Sequence, residues 1–364
     1  MKTVHVNVSK SYDVLIGYGL LDQISELIKP ICKTNRVAII TDDIVEHLFG
    51  DSICQRLYEN GFETINYSFP NGERSKNIET LSGILEFLAE KRITRKDTLI
   101  ALGGGVVGDI VGLAAALYMR GMTVIQVPTT LLSAVDSSVG GKTAVDLKAG
   151  KNLVGAFWQP SLVVCDVNVM KSLPDQIFKE GMSEVIKCSI IRKMPINDWI
   201  ENNSLKDHLE DVIFECIKLK RDIVEEDEYD NKGIRNVLNV GHTVAHAIEK
   251  LSDYTISHGH AVGTGLIIEA RIANELGKTE TSVVEQIRNQ VGLFGLVERI
   301  DWSPLQMVEA MKSDKKNSSS LIVFELPLQF GETEELRIDS QELLDLIEKH
   351  RCDLFGNLLY MEEF

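Results

Sequence analysis

Residues 98–118 read TLIALGGGVVGDIVGLAAALY, and the fold is decided here. Thr98 to Leu102 is a short apolar run of the kind that forms a buried strand. It passes directly into Gly103-Gly104-Gly105, and an apolar helical segment continues through Tyr118. Glycines at 103, 105 and 108 make G-x-G-x-x-G in the strand-to-helix setting that a dinucleotide-binding turn requires. Such glycines let the backbone approach a pyrophosphate, while the helix N-terminus offers N–H donors and the positive end of its dipole. Glycine-rich turns of this kind also exist for packing alone. The acidic ribose partner usual about 20 residues further on is missing from Thr123 to Thr130. Asp42, at the end of an earlier strand, is a candidate substitute, and a carboxylate at the ribose would favour NAD over a 2′-phosphorylated cofactor.

Outward from this turn, strands alternate with helices. Thr3 to Val8 and Asp13 to Ile16 read as a first pair of strands, and Gly17 to Pro30 as a helix. Arg36 to Thr41 and Glu63 to Phe69 are strands. Ser75 to Arg92 is a helix with Leu81, Ile84, Leu85 and Leu88 on one side. Val124 to Val127 and Leu162 to Asp166 complete a parallel sheet in an α/β domain. After Leu173 strand signals nearly vanish. Pro174–Lys193, Leu205–Glu226, Val237–Leu251, Ala261–Leu276, Ser282–Val291 and Ser303–Lys312 read as helices, with one small hairpin from Leu321–Leu326 and Glu335–Ile338. The expectation is two domains: residues 1–175, an α/β nucleotide-binding domain with a parallel-sheet core, and residues 176–364, mostly α-helical.

The formal charge of −16, from 38 basic and 54 acidic residues, excludes nucleic acid as the main partner. The opening MKTVHVNVSK has no signal-peptide core, and no run of 18 apolar residues exists, which implies a cytoplasmic chain that does not cross a membrane. Six cysteines, at 32, 54, 165, 188, 216 and 352, form no C-x-x-C pair and read as reduced thiols.

A second informative stretch is residues 235–260, RNVLNVGHTVAHAIEKLSDYTISHGH, which holds four of the eight histidines. His242 and His246 are four apart and share a helix face. His258 and His260 return after a loop, Ser252 to Ser257. One such histidine is usually a satisfied core or capping group; four together point to function. Two imidazoles with a carboxylate make an open site for zinc or a similar metal. Glu184, three residues before Lys187 on an apolar helix, is the carboxylate, the plainer alternative being a surface ion pair. Between Pro128 and Asn152 lie Thr129-Thr130, then DSSVGGKT from 136 to 143, then Gly150-Lys151-Asn152. GGKT resembles the tail of a P-loop, but the first glycine of that motif falls on Asp136, so a nucleoside triphosphatase is rejected. What remains is a glycine-supported loop with two lysines suited to phosphate or carboxylate. Lys220-Arg221, Arg235 to Asn239 and Lys315-Lys316 add further cations.

The stretches GERSKNIETL, ALGGGVVGDIVG, YMRG, PTTLLSAVDSSVGGKT, GKNLVGAFWQP, GMSEVIK, RNVLNVGHTVAHAIE, SHGHAV and DKK lie in order from about residue 70 to 316. In that order they resemble the 3-dehydroquinate synthase family, within the wider sugar-phosphate cyclases. The resemblance implies an NAD-binding α/β domain followed by a helical metal-binding domain, in a homodimer. It implies Glu184, His242 and His258 as ligands of Zn2+, with Co2+ able to replace it. It places NAD against Asp42, Glu73, Lys76, Gly104, Gly105, Asp109, Thr129, Thr130, Lys151 and Ser172. It places substrate against Arg120, Asp136, Lys142, Asn152, Lys187, Lys220, Arg235, Asn239, His246 and one lysine of Lys315-Lys316. The implied reaction converts 3-deoxy-D-arabino-heptulosonate 7-phosphate to 3-dehydroquinate, a step of the shikimate pathway. It runs by transient oxidation with NAD, phosphate elimination, re-reduction and intramolecular aldol closure, with His246 as a proton-transfer group. A related cyclase such as 2-deoxy-scyllo-inosose synthase is the alternative; a metal-dependent dehydrogenase of the same superfamily would release NADH. Three positions depart from the family pattern: Ile44 where Asn is usual, Asp230 in place of Glu with one extra residue nearby, and His260 where H-G-E-A-V has Glu. The extra residue leaves Lys220 and Arg221 as competing registers.

Overall fold

The computed structural model describes residues 1–312, 320–350 and 354. They form two compact units, one of Met1–Pro174 with Leu209–Asn231, the other of Asp175–His208 with the described residues from Lys232 onward. In chain order the first contains β1 (Lys2–Val6), β2 (Tyr12–Gly17), α1 (Ile24–Ile28), β3 (Arg36–Asp42), α2 (Asp43–Val45), α3 (Asp51–Glu59), β4 (Glu63–Phe69) and α4 (Ile78–Glu90). It continues with β5 (Thr98–Gly103), α5 (Gly105–Leu117), β6 (Thr123–Pro128), β7 (Lys142–Leu147), β8 (Gly150–Phe157), β9 (Leu162–Asp166) and α6 (Val167–Lys171).

Seven strands form one sheet in the order β1-β2-β9-β6-β5-β3-β4. Every pairing from β2 onward is parallel, and β1 alone runs antiparallel to its neighbour. All residues of β5 and β9 are buried, as strands covered on both faces must be, which is why they read as unbroken apolar runs. β3 has β4 on one side and β5 on the other, so the winding reverses there. Ligands of open α/β sheets sit at the carboxyl ends of strands beside such a reversal, where Asp42 and Gly103 end β3 and β5. One layer of core lies under α4 and α5: Leu81, Ile84, Leu88, Val107, Ile110 and Val111 pack with Ala38, Ile40, Leu99 and Val124. Each large side chain so buried contributes roughly 1.5–3 kcal/mol.

The second half of the stretch 128–152, expected as a polar loop, instead enters the antiparallel hairpin β7–β8, which spans 142–157. The alternation is present over 142–146, with Thr143 and Val145 buried and Lys142, Ala144 and Asp146 less so, but glycines and lysines obscure it. The expected helix over 17–30 shrinks to a 3-10 turn, Leu21–Gln23, and α1. The helix Leu209–Glu226, α9 in chain order, belongs to the first unit, so a single division near residue 175 does not describe the partition. Its apolar face meets β1, β2 and the turn Ser133–Ser137. Glu225 accepts from Asn7 N at 2.6 Å, and Glu228 accepts from Ser9.

The second unit holds α7 (Asp175–Ile191), α8 (Ile196–Glu201), α10 (His242–Leu251), α11 (His258–Glu275), α12 (Thr281–Leu293), α13 (Pro304–Lys312), the hairpin β10 (Leu321–Gln329) with β11 (Glu332–Asp339), and α14 (Ser340–Lys349). Gly181–Ile190 of α7 and Ala261–Ala273 of α11 are buried without interruption, so these are its central helices. α14 was not apparent in the sequence; Asp339 caps it by accepting from Gln341 N. No helix among the described residues is long and apolar enough to cross a membrane. The five described cysteines are free thiols. Lys315, Lys316 and Cys352 lie outside the described residues.

Candidate functional site

Glu184, His242 and His258 converge within the second unit. One donor atom from each lies within 4.8 Å of the other two, and this is the one such cluster among the described residues. Glycines bring the three helices this close. A Cβ on Gly259 would stand 2.5 Å from the carbonyl of Glu180, so only glycine lets the start of α11 lie on α7, one turn from Glu184. A Cβ on Gly265 would stand 2.1 Å from the carbonyl of Gly241, where α10 begins. His258 is therefore the first residue of α11 and not a loop residue as its flanking sequence suggested.

The orientation of each ligand is set locally. His242 Nδ1 lies 3.0 Å from the carbonyl of Val240. A carbonyl only accepts, so Nδ1 carries the proton and Nε2 presents its lone pair. That Nε2 is 3.6 Å from Glu184 Oε1. His258 Nε2 lies 3.3 Å from the same oxygen, and its Nδ1 faces Glu249 Oε1 at 3.6 Å. Glu249, buried on α10, gave no signal in the sequence, yet it occupies the outer position that carboxylates take behind metal-ligating histidines.

The charges in the cluster are set by one another. Burial opposes ionisation of Glu184, but the Lys187 ammonium, then His258 and His242, hold its pKa well below the ordinary 4.5. Burial, aided by Lys187, lowers the pKa of His242, so its ring is neutral and fit to ligate. Burial also opposes charge on His258, but Glu184 and Glu249 outweigh it and raise its pKa to about 10. A metal there must displace that proton. Two imidazoles and a carboxylate match zinc or cobalt and leave a coordination position for substrate.

Other members of the histidine stretch separate. His246 is exposed, its ring 5.6 Å from that of His242 and nearly perpendicular to it. His260 turns to Glu298, 2.6 Å away. Lys187 is 2% exposed and pairs with Glu184. Arg235, also buried, and Asn239 lie on the 3-10 segment Ile234–Asn239, where Asn239 donates to the carbonyl of Asn236.

In the first unit, α5 starts at Gly105 with Gly104 as N-cap and no side-chain cap. Its opening N–H groups are thus suited to a pyrophosphate. Thr129 Oγ1, buried beside this turn through Thr129 N donating to the Gly103 carbonyl, has no hydrogen-bond partner among the described residues. A bound cofactor hydroxyl or phosphate would satisfy it. Lys76 Nζ lies 2.6 Å from Asp109 Oδ2, and Lys151 Nζ 3.4 Å from Glu73. Burial raises the pKa of Asp109 in spite of Lys76, while Lys76, also opposed by burial, is held above its ordinary value by Asp109 and Glu73. Asp146 on β7 joins this group unforeseen: it accepts from Asn152 N at 2.7 Å, and its own N–H donates to the Lys76 carbonyl. Asp42 caps the next helical turn, accepting from Ile44 N and Val45 N through Oδ1. Thr130 bonds Ser133, and Ser172 donates to the Val169 carbonyl at the end of α6.

Lys220 Nζ lies 2.5 Å from Asp136 Oδ1 and is nearly buried, whereas Arg221 pairs with the adjacent Asp222. Of the two competing registers, Lys220 is thus the cation held against the 136–143 loop. Lys142 pairs with Asp230 at 2.6 Å. Arg120 is exposed on a turn with φ +61°, followed by Gly121 at +120°. Asn152 takes φ +54° in the β7–β8 turn region.

A Rossmann-like sheet with an open glycine turn, and a helical unit bearing a Glu-His-His cluster, define the class of metal- and dinucleotide-dependent enzymes that includes the sugar-phosphate cyclases. The solved structure of 2-deoxy-scyllo-inosose synthase, complexed with carbaglucose-6-phosphate, NAD+ and Co2+, superposes with a TM-score of 0.86 at 25% identity, over 96% of this chain and 100% of that one. The 3-dehydroquinate synthase N-terminal family matches residues 66–180, and its C-terminal family matches residues 181–317. The 3-dehydroquinate synthase of Enterococcus faecalis is 40% identical over 351 residues, covering 94% of this chain and 97% of that protein. That of Clostridium kluyveri is 41% identical over 329 residues, 88% of this chain and 91% of its own length. The chain belongs to the 3-dehydroquinate synthase family.

Proposed function

We propose that this protein is a 3-dehydroquinate synthase, converting 3-deoxy-D-arabino-heptulosonate 7-phosphate to 3-dehydroquinate and phosphate without net oxidation. The observation that carries the proposal is the Glu184–His242–His258 donor set, present in a chain matched across residues 66–317 by both halves of that family. A divalent zinc or cobalt ion would supply Lewis acidity, and NAD a reversible hydride acceptor. Glu184, His242 and His258 hold the metal. Asp42, Glu73, Lys76, Gly104, Gly105, Asp109, Thr129, Thr130, Lys151 and Ser172 hold the dinucleotide. Among them, Thr129 offers a buried hydroxyl that no described residue satisfies.

The remaining residues bind and polarise substrate. Lys142, Asn152 and Arg120 bring positive charge and donors for phosphate and carboxylate. Lys220, held by Asp136, has its ammonium directed by that carboxylate. Lys187 and Arg235, both buried, stabilise negative charge that develops in the reaction, and Asn239 donates a hydrogen bond. His246, exposed one turn along the helix from His242, moves protons. Lys315 or Lys316 supplies a further cation. A homodimeric assembly and a cytoplasmic location belong to the same proposal; the family resemblance supports the first, the free thiols the second.

The test is phosphate release from two substrates. The heptulosonate phosphate should yield phosphate with metal and NAD present, and glucose 6-phosphate should not. The reverse preference would make the protein a cyclase of the 2-deoxy-scyllo-inosose type.

A further inference from the structure

Glu269 lies in the middle of α11, fully buried, and no role in binding or chemistry has been assigned to it above. Both of its carboxylate oxygens reach the start of α10. Oε2 accepts from Gly241 N at 2.7 Å and Oε1 accepts from Val244 N at 3.0 Å. Gly241 is the N-cap of α10 and His242 its first residue. A helix leaves its first N–H groups without intrahelical partners, and an N-cap side chain normally accepts from one of them. Here the N-cap is glycine and has no oxygen to offer. It has to be glycine: φ is +80°, and a Cβ would stand 2.8 Å from the Leu266 side chain and 3.0 Å from its backbone N. The cap is therefore supplied from the neighbouring helix, as an anion against the positive end of the α10 dipole.

We propose that Glu269 is a positioning residue for the metal. It fixes the first turn of α10, and through that turn the ring of His242, whose Nδ1 is tied to Val240 on the other side of Gly241. Glu269 itself is not among the clustered donors: each of its carboxylate oxygens accepts from a backbone N–H group of α10 or its cap. The inference rests on the reading of Glu184, His242 and His258 as the metal site, and the experiment separates the two.

Three proteins are compared, each freed of metal and titrated with Co2+: the unaltered chain, Glu269→Gln and Glu269→Asp. Glutamine keeps the shape and one acceptor but turns the other position into a donor facing a backbone N–H. Aspartate keeps the charge one methylene short. Affinity is read by chelator competition, and ligand geometry by the visible cobalt spectrum. Glu269→Gln should bind Co2+ roughly 10–100-fold more weakly with an altered spectrum, and Glu269→Asp should lie between it and the unaltered protein. NAD binding serves as the control for an intact first unit, and Ile287→Val on α12, a core-thinning change, as the control for lost stability. If Glu269→Gln matches the unaltered protein in affinity and spectrum, or if Ile287→Val weakens Co2+ as much, Glu269 has only a structural part and the inference falls. If Glu269→Gln does not fold, Glu269→Asp decides on the same two readouts. Failure of the unaltered protein to bind Co2+ would instead overturn the metal site itself.

Discussion

Removing Lys187 should destabilise the metal-free protein far more than the metal-loaded one. Lys187 is 2% exposed and Glu184 0% exposed, three residues apart on a helix buried on all sides there. Solvent cannot screen this pair. Deleting one member of a buried pair costs about 3–5 kcal/mol, here with the His258 imidazolium, 3.3 Å away, as the main positive charge left beside Glu184. Lys187→Met fills the volume and removes the charge, so the metal-free protein should lose about that much. For a folding unit of about 150–250 residues, 1 kcal/mol corresponds to roughly 2–4 °C, which makes the fall in Tm about 6–20 °C. With zinc bound, the ion itself neutralises Glu184, and the loss should shrink to under about 1 kcal/mol, as for a polar group that keeps a partner. The assay is thermal unfolding of both proteins with chelator and with excess zinc at one protein concentration. Equal losses under the two conditions would refute the reasoning, because they would mean that Glu184 does not exchange Lys187 for a metal.

The same carboxylate predicts a pH effect. Its folded pKa is depressed below the ordinary 4.5, so its contribution is complete above that value and is lost as pH falls through the depressed one. Metal-free protein should therefore lose denaturant resistance steeply below pH 4.5, and Lys187→Met, lacking the main cause of the depression, should show a shallower acid limb in urea midpoints. Gly265→Ala would place a methyl 2.1 Å from the Gly241 carbonyl; forcing α10 from α11 should cost about 1–3 kcal/mol and weaken metal binding together with stability, read by urea unfolding and cobalt titration. Lys76→Met leaves Asp109 without its partner at 2.6 Å and should weaken NAD about tenfold, or about 1.4 kcal/mol, while cobalt binding in the second unit stays unchanged. Calorimetric titration with each ligand checks both halves of that statement.

The parts of the fold legible in the sequence are those whose signal is local. β3, β5 and β9 are covered on both faces, so they appear as uninterrupted apolar runs, and the Gly103–Gly108 turn marks where strand becomes helix. The metal cluster was legible because imidazoles and an acid on apolar helices are costly to bury without a purpose. What escaped notice depends on tertiary placement. Helical periodicity shows that α9 has an apolar face but not that β1 and β2 cover it. Glu249 and Glu269 look like ordinary charged helix residues until one is found behind His258 and the other at the start of α10. The β7–β8 hairpin was hidden by its own lysines and glycines, which read as a polar loop. Asp42 shows the opposite case: its place at the end of β3 is legible in the sequence, but not that one carboxylate oxygen caps the following turn.

The most direct measurement follows phosphate and NADH together while purified protein turns over the heptulosonate phosphate with catalytic NAD and zinc. The account predicts phosphate in large excess over the NAD supplied, no accumulation of NADH, and loss of both turnover and cobalt binding when His242 is replaced by Ala. Stoichiometric NADH without phosphate release would contradict it and make the protein a dehydrogenase.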